Sequence, residues 1–402
     1  MLTTGDAGLE LVEVSEGEAS ILVPRENLTE PYPLKHGNRV FYNPVMEFNR
    51  DLSILAVECH AKGASRQLRV LDAMTGCGVR GIRYALEVEH VGHVLLNDMQ
   101  PVACGLARRN AERNKVENKE VTCMDANLVL ALHSTPDTRF DVVDLDPFGS
   151  PASFLDSAVR AVSNNGLLAV TATDMPPLCG VRPKAALRKY GGRPLQTEYC
   201  HEIAVRLLIA SLVSTAARHD LGIDVKLAHS TDHYVRAYCS IRHGCGRASQ
   251  TLDRLGYIAH CFRCSYREVM NKLHSSKTTC RICNDHYAYA GPLWLGNLHD
   301  KEFCKEMLRL VDLKKLQKKN RVVRVIRRII DEDDSLPTYY RIDRLSDRYQ
   351  TPTPKPETVV EEARNMGYTA SLTHFHGYGV RTNAEPNVLE HILRKLSQKV
   401  CA

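Results

Sequence analysis

Between residues 68 and 173 the chain repeats one pattern, and that repetition restricts its fold more than any other feature. Short apolar runs alternate with longer stretches whose apolar residues recur every three to four positions. The runs LRVLDAM (68–74), HVLLND (93–98), DVVDLD (141–146) and GLLAVTAT (166–173) read as buried strands. GIRYALEVE, PVACGLARRNAERN and SFLDSAVRAVSNN lie between them and read as helices. Such alternation predicts an α/β domain with a Rossmann-like parallel sheet, residues 1–255, completed by a helix at 197–219 and strand-like DVKLAHS and YVRAYCSIR. At 402 residues the chain exceeds the size of one core, so further units are expected. These are a small four-cysteine insert, 256–290, and a C-terminal α+β unit, 291–402. Within the latter, 339–375 reads as helix, Pro-rich turn, helix and strand, either a helix-turn-helix or winged arrangement or a small domain packed for stability.

The first strand runs into LDAMTGCGVRG, where Gly76, Gly78 and Gly81 spell G-x-G-x-x-G between a strand and a helix. Small residues there let the backbone approach a cofactor, and the helix N-terminus offers unpaired N–H groups. Dinucleotides and S-adenosylmethionine both use such a loop. Asp72, at the strand tip, would repel a pyrophosphate but can pair with the cationic amino group of a methionine moiety, which favours S-adenosylmethionine. Asp98, ending the second strand, suits ribose hydroxyls in either class. Asp125 and Ala126, after a third short strand, form an acid-small pair suited to an adenine edge.

DVVDLDPFGSP (141–151) closes a core strand with two carboxylates, a proline-stiffened turn and an aromatic ring. A carboxylate at Asp146 can accept the N–H of an exocyclic base amine, and later its proton, as that nitrogen attacks a methyl group. Phe148 offers a face for stacking a base drawn out of its helix. Asp144 is expected to be a structural strand-end carboxylate capping a neighbouring loop.

VFYNPVMEFNRDLS (40–53), DAMTGCGVRGIRYALE, DLDPFGSPASFLDSA, VTATDMPPLCGVRPKAALRKYGG, LGIDVKLAHSTDHYVRAY and FHGYGVRTNA occur in one order along nearly the whole chain. By these segments the chain closely resembles the tRNA (guanine26-N2)-dimethyltransferases, S-adenosylmethionine-dependent enzymes that methylate a guanine in tRNA. The resemblance implies that Arg50 and Arg80 contact the cofactor together with Asp98, Asp125 and Ala126. It makes Asp146 the catalytic acceptor, and Phe41 and Phe148 the residues flanking the target guanine.

Cys261-x2-Cys264 and Cys280-x2-Cys283, separated by 15 residues, have the spacing of a closed four-thiolate Zn²⁺ site, structural because no position is left open. His260, His274 and His286 flank it and are not needed as ligands. The other ten of the 14 cysteines, Cys104 and Cys200 among them, are expected to be small packing residues. KKLQKKNRVVRVIRR (314–328) holds eight Lys/Arg in 15 residues without an acid. A helix there, with Val322, Ile326 and Ile329 inward, would turn Lys318, Lys319, Arg321 and Arg324 toward RNA phosphates. A second cluster, Arg182, Lys184, Arg188, Lys189 and Arg193, follows the fifth strand on the edge that carries Asp146. The net charge of +6 is modest, so phosphate binding rests on these clusters. No apolar run of the roughly 18 residues a membrane span needs is evident, nor a signal peptide, so a cytoplasmic setting is expected, with a monomer slightly favoured.

Overall fold

The computed structural model describes residues 9–29, 40–273, 278–333 and 336–401. An N-terminal hairpin, β1 (Leu11–Glu16) and β2 (Ala19–Pro24), precedes α1 (Glu26–Thr29) and α2 (Glu47–Ala61). The chain then alternates β3 (Leu68–Asp72), α3 (Val79–Glu87), β4 (Val91–Asp98), α4 (Pro101–Arg113), β5 (Lys119–Cys123) and α5 (Ala126–Leu132). It continues through β6 (Phe140–Leu145), α6 (Leu155–Ala161), β7 (Val162–Ala172), α7 (Met175–Leu178) and α8 (Pro183–Tyr190). The long α9 (Cys200–Ala217) leads to the hairpin β8 (Leu221–Thr231) and β9 (Tyr234–His243), then α10 (Cys245–Leu252). Next come β10 (Leu255–His260), β11 (Arg267–Met270), β12 (Ala288–Trp294), α11 (Lys301–Leu310) and α12 (Lys319–Asp331). The last elements are β13 (Tyr340–Arg341), α13 (Ile342–Tyr349), α14 (Pro356–Asn365), β14 (Ala370–Leu372), β15 (Gly379–Thr382) and α15 (Pro386–Cys401).

Seven strands form the central sheet in the order β5-β4-β3-β6-β7-β9-β8. The first five are parallel, and β9 enters antiparallel between β7 and β8. Strand order reverses between β3 and β6, so their carboxyl ends flank the switch point where ligands of open sheets bind. Both sheet faces are covered, which explains the near-continuous apolar runs. Val70, Val94, Val142 and Leu167 face a core shared with α2, α3 and α4, while Leu71, Leu95, Val143 and Leu168 face one shared with α6 and α9.

Four local differences from the sequence reading have clear causes. The helix expected through Asn165 stops at Ala161, because Val162 already pairs with Phe140 at the start of β6 and β7. α9 has the length and composition of a membrane span, contrary to the expectation that no run was long enough, yet 78% of it is buried in the protein. Its charged residues Glu202 and Arg206 are paired with each other at 2.8 Å within that core. The basic helix begins only at Lys319, the preceding Lys314 being tied to Glu58 at 2.8 Å. Finally, α11 and α12 belong by packing to the sheet's own core, through Cys304, Met307, Leu310, Val322, Ile326 and Ile329. A separate C-terminal core starts with Tyr340 and closes with Leu389, Ile392 and Leu393.

That last unit has the expected order of helix, Pro-rich turn, helix and strand, on a small sheet β13-β15-β14. Fully buried Arg381 fastens it to the rest, donating to Glu202 of α9 at 3.0 Å and to Glu332 at 2.9 Å. The cysteine segment bridges the two bodies as well, since Arg348 of α13 donates to the carbonyl of Phe262 at 3.1 Å.

Candidate active site at the switch point of the sheet

Asp72 ends β3 and turns its carboxylate into the glycine loop. Its Oδ2 accepts from the Thr75 hydroxyl at 2.7 Å and from the Gly81 N–H at 3.0 Å. Burial, with the neighbouring Asp144 charge, pushes its pKa up to about 7. Through that oxygen the carboxylate braces the glycine loop. Gly76 has φ +55°, and a Cβ there would meet the Phe41 carbonyl oxygen at 2.9 Å, so only glycine fits. The Gly76 N–H donates to Asp98 Oδ2, and the Gln100 N–H to Asp98 Oδ1, both at 2.9 Å. Asp125, exposed, caps α5 by accepting from the Asn127 N–H at 2.8 Å, with Ala126 buried beside it. The three acidic strand ends thus line one edge. Asn97, which sequence reasoning missed, ties them together: it donates to the carbonyls of Ala73 and Met124, each at 3.1 Å.

Asp146 stands just beyond β6, with its side chain 19% exposed. Arg80, from the first turn of α3, donates from Nη2 to Asp146 Oδ2 and from Nη1 to the Ser53 hydroxyl at 2.8 Å. Asp146 Oδ1 has no hydrogen-bond partner among the described residues. Behind this pair sits a second one. Asp144, fully buried, accepts from Arg236 of β9 and from the Tyr84 hydroxyl at 2.6 Å, with Arg80 Nε 3.6 Å from its other oxygen. Asp144 therefore does not cap a loop; it holds two arginines. Burial works against its charge, but Arg236 and Arg80 hold its carboxyl below the usual range. Arg236 donates further to Thr171, Ser53 and Tyr238, the last at 2.9 Å. Four elements are joined there, and no short sequence motif announces it.

Phe148 is 63% exposed, and its ring meets that of Phe41 edge-on with centroids 4.5 Å apart. The two rings sit over the turn as an aromatic pair, with Phe41 half-buried rather than packed in the core. Gly149 is clasped to the exit of β7: its N–H donates to the Thr173 hydroxyl at 2.7 Å and its carbonyl accepts from the Thr173 N–H at 2.8 Å. Arg50 lies one layer away. Its guanidinium grips Glu16 through Nε at 2.5 Å and Nη2 at 2.6 Å, and Nη2 also reaches the Asn43 carbonyl. Burial would raise the Glu16 pKa, but Arg50 and Arg83 bring it down to about 2. Arg50 thereby anchors the segment that carries Phe41.

On α8, Arg182, Lys184, Arg188 and Arg193 nearby are exposed, while Lys189 pairs with Asp174 at 3.0 Å. Tyr190 of the same helix meets the Ser150 hydroxyl at 2.9 Å, which sets this basic cluster beside the DPFG turn. The α12 cluster is less free than its sequence implies. Lys318 faces Glu47 at 3.5 Å, Lys319 faces Asp312 at 2.7 Å and Arg321 faces Asp232 at 2.7 Å. Acids absent from the stretch itself arrive from other elements. Arg324 is exposed, with no acidic partner among the described residues.

The four cysteines form two matching knuckles. Cys261 N–H donates to the Tyr266 carbonyl and Cys280 N–H to that of Asp285, at 2.8 and 2.7 Å. Sγ atoms face each other at 3.4 Å (Cys261–Cys283) and 3.5 Å (Cys264–Cys280). Tetrahedral Zn–S bonds of about 2.3 Å would set sulfurs roughly 3.8 Å apart, so the set fits a closed site with little adjustment. His260 is engaged elsewhere, with Tyr199 at 3.0 Å, and His274 lies outside the described residues.

Comparison with known proteins agrees with this geometry. The profile of the N2,N2-dimethylguanosine tRNA methyltransferases matches residues 17–394. The tRNA (guanine(26)-N(2))-dimethyltransferase of Methanothermobacter thermautotrophicus is 38% identical over 387 residues, 96% of this chain and 99% of that protein. An Aquifex aeolicus relative, a tRNA (guanine(26)-N(2)/guanine(27)-N(2))-dimethyltransferase, is 32% identical over 96% of this chain and 95% of its own. Among solved structures, Trm1 from Pyrococcus horikoshii with S-adenosyl-L-methionine superposes with a TM-score of 0.83 and 35% identity. That match covers 95% of this chain and 100% of the other.

Proposed function

We infer the activity from one premise: this chain belongs to the N2,N2-dimethylguanosine tRNA methyltransferase family. It is an S-adenosylmethionine-dependent tRNA (guanine(26)-N2)-dimethyltransferase, which transfers methyl groups to the exocyclic N2 of a guanine in tRNA. The observation that carries the assignment of roles is Asp146, held by Arg80 through one oxygen with the other free, two residues before the exposed Phe148. S-adenosylmethionine supplies an electrophilic methyl group. The cradle that only Gly76 fits, with Asp98, Asp125 and Ala126 along the same edge, suits its methionine and adenosine parts. Arg80 and Arg50 act behind that surface by fixing Asp146 and the Phe41 segment.

The guanine enters between Phe41 and Phe148, whose edge-on contact opens to admit the ring. Its amino group is a poor nucleophile because the lone pair is delocalised. Asp146 Oδ1 accepts one N–H, localises that lone pair as the nitrogen attacks, and then takes the proton. Arg188 and its neighbours on α8, with Arg324 and the adjacent α12 cations, meet tRNA phosphates. Cys261, Cys264, Cys280 and Cys283 hold one structural Zn²⁺ that stiffens the joint between the sheet and the C-terminal unit. The test is incubation with labelled S-adenosylmethionine and unmodified tRNA, followed by nucleoside analysis. Methyl incorporation as N2-methylated guanosine, lost when guanine 26 is replaced, supports the reading; persistence at guanine 27 would widen the site specificity.

A further inference from the structure

Cys200 packs against the sheet's core, as expected, but its neighbours set it apart from an ordinary packing residue. It is the first residue of α9, half-buried, and its sulfur lies within 4.8 Å of the Cys179 sulfur and of a ring nitrogen of His201. Cys179 closes α7 and is 8% exposed; neither cysteine is in a disulfide. The two meet because the chain after α7 crosses the segment before α9 at close range. Gly180 has φ +88°, and a Cβ there would strike the Gln196 nitrogen at 2.7 Å, so no side chain separates the strands of this crossing.

We propose that Cys179 and Cys200 form a peroxide-reactive dithiol, a modification site in which Cys200 is oxidised first and Cys179 resolves it to a disulfide. The meeting of the two sulfurs and the His201 ring carries this, and three features support it. The N-cap residue Tyr199 makes no side-chain cap, so the Cys200 sulfur stands at the uncapped N-terminus of α9. A thiolate there is stabilised by the helix dipole. Next, the adjacent Cys179 thiol favours charge on Cys200, lowering the Cys200 pKa and raising that of Cys179. Last, burial keeps the His201 ring neutral, so a base stands beside the thiol that must lose its proton. Buried Cys239 has no such partner arrangement and stays protonated, its pKa pushed up to about 12.

The chemistry balances with a hydroperoxide as oxidant. The Cys200 thiolate attacks one peroxide oxygen; an S–O bond forms, the O–O bond breaks, and hydroxide leaves. His201 takes the Cys179 proton, and the Cys179 sulfur attacks Cys200; an S–S bond forms as the S–O bond breaks and a second hydroxide leaves. Both hydroxides are protonated to water, so two thiols and one hydrogen peroxide give a disulfide and two waters.

The test uses the full chain with its zinc retained. Pulse alkylation with iodoacetamide at pH 7, followed by peptide mapping, should label Cys200 at least about tenfold faster than the exposed Cys123 and Cys245. Equimolar hydrogen peroxide should yield a Cys179–Cys200 cross-linked peptide. In Cys179→Ala, dimedone should trap a sulfenic acid on Cys200, and Cys200→Ala should show none on Cys179. Equal alkylation of Cys200 and Cys123, or no cross-link in the wild-type map, overturns the proposal whatever the variants do. So does a second zinc per chain that is lost in Cys200→Ala, which would make the trio a metal site.

Discussion

Replacing Arg236 by Met tests whether the buried ion-pair network is what places the Asp146 carboxylate. The side chain is wholly enclosed, and its removal strands Asp144, also fully buried, without its main counter-charge. Hydrogen bonds to Thr171, Ser53 and Tyr238 disappear with it. Removing one partner of a buried pair costs about 3–5 kcal/mol, against total stabilities of about 5–15 kcal/mol, so the midpoint of urea unfolding should fall markedly. Function should change too. Arg80 now serves two carboxylates, Asp146 by a hydrogen bond and Asp144 at 3.6 Å. Without Arg236 it is drawn toward Asp144 and away from Asp146. A displacement on the order of 1 Å at a reacting group costs up to about 10²-fold, so kcat should drop by about 10–10²-fold with KM for tRNA unchanged. Arg236→Met combined with Asp144→Leu removes both charges and should recover much of the stability, giving a coupling energy well above the few tenths expected of independent sites. Additive losses in the double variant, or a wild-type kcat in folded Arg236→Met, would refute this account of the network.

Asp146→Ala should lower turnover by about 10²–10⁴-fold while binding of S-adenosylmethionine and tRNA, measured by calorimetry, stays near wild type. Elemental analysis of freshly purified, reduced protein should find one zinc per chain, and Cys264→Ser should lower stability yet leave the turnover of the folded fraction nearly intact. Arg188→Gln with Arg324→Gln should weaken tRNA binding and flatten the slope of log affinity against log salt by about two; Lys319→Gln and Arg321→Gln, being paired, should change it less. Asp72→Asn should stabilise the cofactor-free protein above pH 7 and not at pH 3. The Asp72 pKa, about 7 when folded, exceeds its ordinary value of 3.8, so unfolding releases a proton between those limits and stability falls as pH rises through that window.

What the sequence revealed and what it hid divide along one physical line. The strands, the glycine loop and the DPFG turn depend on neighbours within about ten residues, and period, glycine spacing and proline announce such local arrangements. The α12 stripe of Val322, Ile326 and Ile329 was legible for the same reason, and all three are buried. Partners set by topology were not. Arg236 is 92 residues from Asp144, Arg50 is 34 from Glu16, and Arg321 is 89 from Asp232. Each of these partners was missed because an isolated charge in a sequence gives no sign of which element will be laid beside it. The cost of burying a charge supplies the missing rule. Asp144 ends an apolar run that both sheet faces cover, so its carboxylate had to be neutralised or paired. The available cations were those on strands that the sheet order brings within reach, and β9, antiparallel beside β7, carries one inward-facing arginine at the matching level: Arg236, opposite Thr171. Given the strand order, that pair could have been derived; the strand order itself is the datum that one sequence does not contain.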